Sequence, residues 1–230
     1  MDNISGTGNP SDKLPVHYAI ILYPGFQALD AFGPLDVLNV LGRDKPIKLS
    51  IIGPSLDPVS INALPRQGLI FNPAFFQSVV PTHTYANPPE NIDVLIIPGG
   101  TGNRDPRVLE PVSKLTRDLY PGLQYLFTIC TGSKIPAHAG ILEGRKATSN
   151  KIAFGEVAAA YPKVNWVERA RWVVDGNIWT TSGISAGIDG MLAFVEHLYG
   201  KEKVDVLSHY LEYVRNEDPS VDPFCSEETK

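Results

Sequence analysis

The sequence predicts an α/β domain with a mostly parallel central sheet and helices on both of its faces. Three observations carry this. Short apolar runs without alternation, at Val16–Tyr23, Asp93–Ile97 and Gln124–Ile129, have the pattern of strands buried on both sides. Stretches of helical spacing stand between such runs. Gly and Pro close several of them, as at Pro24-Gly25, Gly53-Pro54 and Pro98-Gly99-Gly100. Strand and helix in alternation build a sheet whose crossovers cover its faces.

Met1–Pro15 is polar, lacks the apolar core of a secretory signal and reads as a disordered leader. Val16–Tyr23 is then a central strand, and Leu29–Leu41 a helix with Leu29, Phe32, Val37, Val40 and Leu41 on one face. Ile47–Ile52 is a second strand. Residues 54–90, rich in Pro, Asn and Ser, read as loops with short strands at Val59–Ile61 and Leu69–Phe71, and as a source of apolar groups around the site. Asp93–Ile97 is a buried strand and Pro106–Leu119 an amphipathic helix. Gln124–Ile129 runs into Cys130 and then into a helix from Lys134 to Ala139, stopped by Gly140. Pro162 ends a helix over Ile152–Tyr161. Arg171–Trp179 is a hairpin with Asp175-Gly176 at its turn. Ala186–Tyr199 and Lys203–Tyr213 are helices with Gly200 between them. The reading is one domain over 16–213, then a polar tail over 214–230. Trp179 reads as core, while Trp166 fits either core or an interface.

Composition narrows the partners. A formal charge of −5 without any basic block argues against nucleic acid and anionic membrane surfaces. No apolar run reaches the roughly 20 residues that span a bilayer. The two cysteines, Cys130 at a strand end and Cys225 in what reads as a mobile tail, make a poor structural staple, so a reducing, cytoplasmic location is expected. The five histidines are scattered, with no metal-ligand spacing, and no cofactor is called for.

Cys130 is the most informative residue. A strand turning sharply into a helix at a nucleophilic side chain is a nucleophile elbow. The positive end of the helix is expected to lower the thiol's pKa. A buried structural cysteine is the competing reading. Ligands in open α/β sheets bind outside the carboxyl ends of the strands, and Asp30, Gly99-Gly100 and Cys130 all follow such ends. Asp30, among apolar neighbours, reads either as a proton-transfer partner of the thiol or as a helix cap. Gly99, Gly100 and Thr131 offer backbone N–H groups for an oxyanion or a water, or form a plain turn. Asn150 reads as a cap before Ile152. Ser182 and Gly183 lie in a small-residue passage that lets a helix pack closely, with Ser185 as its cap.

These pieces, in this order, resemble the ThiJ/PfpI superfamily. The matching residues are Pro24-Gly25, Leu29-Asp30 with Gly33-Pro34, Asp93–Gly100, Ile129–Gly132, Ala139–Thr148, Val174–Asn177 and Ser182–Asp189. The resemblance covers about residues 16–213 and implies a flavodoxin-like, class I glutamine-amidotransferase-like fold. Within it, Leu29-Asp30 with Gly33-Pro34, and Leu211-Glu212-Tyr213, are most similar to isocyanide (isonitrile) hydratases, where an aspartate replaces the glutamate of many relatives. Asn150 stands where many relatives carry a histidine, which argues against a Cys-His hydrolase. The resemblance implies a hydratase with Cys130 and Asp30 as catalytic residues, Gly99, Gly100 and Thr131 as water- or oxyanion-orienting groups, Asn150, Ser182 and Gly183 at the pocket, no cofactor, and a homodimer. Two other classes use the same residues: glyoxalase-type chemistry on α-oxoaldehydes, and a non-catalytic oxidative-stress sensor at Cys130. A regulator's ligand domain is disfavoured, because about 17 residues after the last helix leave no room for a helix-turn-helix.

Overall fold

The structure is a computed structural model and describes residues 13–65 and 75–225. Its strands, in chain order, are β1 (His17–Ile21), β2 (Lys48–Gly53), β3 (Val59–Ser60), β4 (Ser78–Val79), β5 (His83–Thr84), β6 (Val94–Ile97), β7 (Tyr125–Thr128), β8 (Lys146–Ala147), β9 (Asn165–Trp166), β10 (Trp172–Asp175) and β11 (Ile178–Thr181). The α-helices are α1 (Ala28–Leu41), α2 (Pro106–Leu119), α3 (Lys134–His138), α4 (Phe154–Ala160), α5 (Ala186–Tyr199) and α6 (Lys201–Tyr210). The strand read at Leu69–Phe71 lies outside the described residues.

Seven strands form the central sheet in the order β10-β11-β7-β6-β1-β2-β5. Every pair is parallel except the β10–β11 hairpin. Every residue of β1, β6 and β7 is buried, as their unbroken apolar character requires. Each fully buried Ile, Val or Leu contributes about 1.5–3 kcal/mol relative to exposure. Tyr125, Phe127, Trp179 and Phe194 pack as one aromatic cluster, which places Trp179 in the core. Trp166 is half-buried and packs edge-on against Phe154.

The helices fall into two groups that cover the sheet: α1, α5 and α6 contact one another, and α2 contacts α3. Asp105 caps α2 by accepting the N–H of Arg107 at 2.9 Å, ahead of Pro106 at the first helical position. No helix among the described residues is long and apolar enough to cross a membrane.

Three expectations need correction. In α1, Leu29 and Phe32 stand exposed, while Asp30, Ala31, Pro34, Leu35 and Leu38 are buried with Val37 and Leu41. Apolar side chains surround this helix, so periodicity alone does not select its inward face. At the hairpin, Asp175 pairs with Ile178, so the two turn residues are Gly176 and Asn177, with Gly176 at φ 61° as a type II′ turn requires. Residues 214–225 do not hang free. Cys225 donates its thiol to the carbonyl of Glu168 at 3.3 Å, and both cysteines are unpaired.

The chain leaves β1 toward β2 and β5 on one side, then returns to β6 on the other. The sheet therefore reverses between β1 and β6, and a crevice opens at the carboxyl ends of these strands.

Candidate active site

Cys130 stands one residue beyond β7, after Ile129, at φ 57° in the left-handed region. A non-glycine residue there costs about 1–3 kcal/mol and persists only when its surroundings hold it. They do so at both backbone groups. The Cys130 N–H donates to Ser182 O at 3.0 Å, and its carbonyl accepts the hydroxyls of Ser149 (3.2 Å) and Ser133 (3.3 Å). Both serines are fully buried. The elbow is thus clamped by Ser182 just beyond β11, by Ser149 beyond β8 and by Ser133 of its own turn.

Asp30 enters from the first turn of α1. It does not cap the helix; the N-cap is Gln27. Its side chain turns inward, fully buried, and Oδ2 accepts the N–H of Gly99 at 2.9 Å. Oδ1 is buried without a hydrogen bond of its own. The carboxyl neighbours the Cys130 thiol. Two side chains a hundred positions apart therefore meet beside the β1–β6 switch point. Burial raises the Asp30 carboxyl to about 7, against the lowering effects of the Gly99 N–H and the thiol.

The thiol departs from the sequence expectation. It is pushed up to about 12, first by burial and then by the neighbouring Asp30 carboxylate. The helix that follows is short, a 3₁₀ turn at Cys130–Ser133 and then α3, and such a terminus supplies only about 1 kcal/mol toward the thiolate. Desolvating an ionised group costs several times that. Groups that do favour the thiolate are the backbone N–H of Ile184, that of Thr131 and the Asn150 side chain. In the resting pair the sulfur holds its proton tightly, and the carboxyl beside it titrates near neutrality.

The remaining site residues fall in three places. Gly99 and Gly100 do not offer free donors: the Gly99 N–H is engaged by Asp30, and the Gly100 N–H donates to Thr131 Oγ1 at 3.1 Å. Gly99 is glycine for space, since a Cβ there would lie 2.7 Å from Thr131 N and 2.9 Å from Asp30 Oδ2. Thr131 does face the sulfur. Its carbonyl and hydroxyl accept Nδ2 of the buried Asn103, at 2.9 and 3.1 Å. Asn150 has two jobs. Its Oδ1 accepts the Ala153 N–H at 3.2 Å, closing the turn over 151–153 rather than capping a helix at Ile152, since α4 begins at Phe154 without a side-chain cap; this leaves Nδ2 for the sulfur. Gly183 packs against that amide, and a Cβ there would lie 2.7 Å from Nδ2.

Sequence reasoning missed Ile184, a β-branched residue at φ 31° whose N–H faces the sulfur. Ser185, expected to cap α5, makes no capping bond. Asn150, Ser182, Gly183 and Ile184 line a cavity of about 460 Å³ together with Ile152 and Phe224. Among the described residues, none from 54–65 or 75–90 lines this cavity. Among the described residues, no group of three or more His, Cys, Asp and Glu side chains is placed to hold a metal ion.

Comparison with known proteins places this arrangement. The chain is 29% identical to the isonitrile hydratase of Pseudomonas putida over 87% of its own length and 79% of that protein's. It is 35% identical to the deglycase PH1704 of Pyrococcus horikoshii, over 44% of this chain and 58% of that one. A solved structure of a ThiJ/PfpI family protein from Pseudomonas syringae superposes with a TM-score of 0.69 and 28% identity, covering 96% of this chain and 85% of that one. The family model for DJ-1/PfpI matches residues 17–197, a span holding both the buried aspartate and the elbow cysteine, and the chain belongs to the DJ-1/PfpI family.

Proposed function

We propose that the chain is a cysteine-dependent hydratase, a lyase that converts an isocyanide to an N-substituted formamide. The observation that carries this reading is the buried Asp30 carboxyl, titrating at about 7 beside the Cys130 thiol, with asparagine rather than histidine at position 150. Such a site moves protons through the carboxyl alone. Similarity to the Pseudomonas putida isonitrile hydratase over most of both chains supports the reading.

The steps follow from the pair. Ionised Asp30 takes the Cys130 proton as the sulfur attacks the terminal carbon of R–N≡C. The same carboxyl returns that proton to the carbon, which gives the thioimidate R–N=CH–S. Water then adds to this carbon: Asp30 accepts a proton from the water and passes that proton to the nitrogen. Collapse of R–NH–CH(OH)–S expels the sulfur, the hydroxyl proton passes by way of Asp30 to the sulfur, and R–NH–CHO is released. The N–H groups of Ile184 and Thr131 and the Asn150 amide stabilise the sulfur while it carries charge. An uncharged carboxyl or a fully protonated pair cannot start the cycle.

A second reading rests on the similarity to deglycases: the same thiol adds to an α-oxoaldehyde while the carboxyl shuttles the proton. One product assay separates them. The purified protein is given a simple isocyanide and, separately, methylglyoxal. Formamide by mass spectrometry, absent in Cys130→Ala, is the expected result. Lactate without formamide would move the assignment to carbonyl chemistry.

A further inference from the structure

The segment after the last helix is fastened across the domain beside the cavity. The Asn216 N–H donates to Asp189 Oδ1 at 3.0 Å, and Pro219 O accepts the Arg171 N–H at 2.7 Å. Asp222 Oδ2 pairs with Lys151 Nζ at 3.5 Å, with side chains 0% and 6% exposed. Lys151 Nζ also donates to Thr148 Oγ1 (2.9 Å), Ala170 O (2.9 Å) and Ser149 O (3.3 Å). The other oxygen of Asp222 accepts the Phe224 N–H at 3.1 Å. That bond turns the backbone at Phe224, which lines the cavity together with Asn150 and Ile184, two residues that also face the Cys130 sulfur.

A buried ion pair adds little to stability, because desolvation offsets its attraction; what it fixes is position. Here it fixes a two-residue turn that carries an aromatic ring. Lys151 is joined directly to Asn150, and its ammonium holds the carbonyl of Ser149, whose hydroxyl clamps the Cys130 carbonyl. The segment and the elbow therefore share one anchor. Phe224 keeps 68% of its surface exposed. A ring left that open contributes little to folding, but it is available to an apolar group entering the cavity.

We propose that residues 216–225 are a specificity strap: Phe224 is the wall that receives the apolar N-substituent of the substrate, and the Lys151–Asp222 pair is the catch that holds this wall in register. The proposal rests on the cavity being the seat of the substituent beside Cys130. Phe224 is a specificity residue, and Lys151 and Asp222 are positioning residues.

The test uses the full chain with Cys225→Ser, which leaves Cys130 as its one thiol. Alkylation of Cys130 by chloroacetamide and by N-benzyl chloroacetamide is followed by intact mass. Hydration of a methyl and of a benzyl isocyanide is followed in parallel. For Phe224→Ala, the benzyl-to-unsubstituted rate ratio falls by about fivefold or more, the scale on which an apolar pocket contact discriminates. Asp222→Asn lowers the ratio in the same direction, and Phe224→Tyr restores it. A ratio that stays within twofold or rises in both Phe224→Ala and Asp222→Asn overturns the strap, as does a Cys130 that neither reagent reaches. Wild-type protein that yields no formamide sinks the hydratase reading, and the alkylation ratio still decides the strap.

Discussion

Gly99 donates its N–H to Oδ2 of Asp30 at 2.9 Å, which satisfies one oxygen of a fully buried carboxyl and leaves Oδ1 without a hydrogen bond. A carboxyl held this way is rotationally fixed and keeps a spare lone pair beside the Cys130 thiol. Its position also sets its pKa. Removal from water dominates, and the single N–H bond does not cancel it.

The rate has an acid limb set by Asp30. The carboxyl must be ionised to take the thiol proton, and it titrates at about 7. Activity is therefore lost as pH falls through about 7 and is level above it, because the thiol retains its proton until about 12. A kcat/KM profile from pH 5 to 9 checks this. Asp30→Asn removes the limb and lowers kcat/KM by about 10²–10⁴-fold, the range for loss of a general acid/base. A flat wild-type profile would remove Asp30 from proton transfer.

Stability moves the other way. The folded pKa of Asp30, about 7, lies above its ordinary value of 3.8. Its contribution to stability is complete below about pH 4 and is lost as pH rises through 7, a loss on the order of 4 kcal/mol. Asp30→Asn carries no such charge. Its melting temperature relative to wild type should rise by several degrees between pH 4 and pH 7, then level off. Thermal melts at pH 4, 5.5, 7 and 8 test it; a difference independent of pH contradicts the buried-carboxylate account.

Much of this was legible in the sequence. Unbroken apolar runs locate β1, β6 and β7, and the rule that ligands sit beyond strand carboxyl ends brings Asp30 and Cys130 to one rim. Pro106–Leu119 is read to the residue, because a cap, a proline and a clear apolar stripe agree there. Legibility stops where a backbone group does the work. The Ile184 N–H leaves no trace in residue type, and its place beside the sulfur depends on β11 pairing with β7, which no local pattern reveals. Gly99 misleads for the same reason: a glycine there looks like a donor, and its N–H is already engaged by Asp30. The thiol's pKa was out of reach too, because it depends on how deeply the elbow is buried, and the short helix dipole is the smaller effect.

Arg171 and Asp189 form a buried ion pair at 2.6 Å, with side chains 9% and 1% exposed. Asp189 also accepts the Asn216 N–H, and Arg171 N–H meets Pro219 O. Asp189→Ala leaves a guanidinium buried without its partner and should cost about 3–5 kcal/mol in urea unfolding. It should also free the segment near Asn216, so limited proteolysis there accelerates more than global unfolding explains. Equal acceleration at all sites would show that the pair holds the domain and not the segment.

The sulfur's side-chain donor depends on the glycine behind it. Nδ2 of Asn150 faces the Cys130 sulfur, Oδ1 is fixed by the Ala153 N–H, and a Cβ at position 183 would stand 2.7 Å from Nδ2. Gly183→Ala therefore displaces the amide from the sulfur, and it should lower kcat by about tenfold, the worth of one hydrogen bond to a charged group. Asn150→Ala removes the donor outright and should cost about the same. Because both substitutions delete one interaction, the double variant is no slower than Asn150→Ala, and the cycle returns a coupling energy of about 1–1.5 kcal/mol. Single-turnover rates of the four proteins give that number. Additive losses would mean that Gly183 acts on the sulfur by another route, through the adjoining Ile184 N–H, which Asn150→Ala leaves in place.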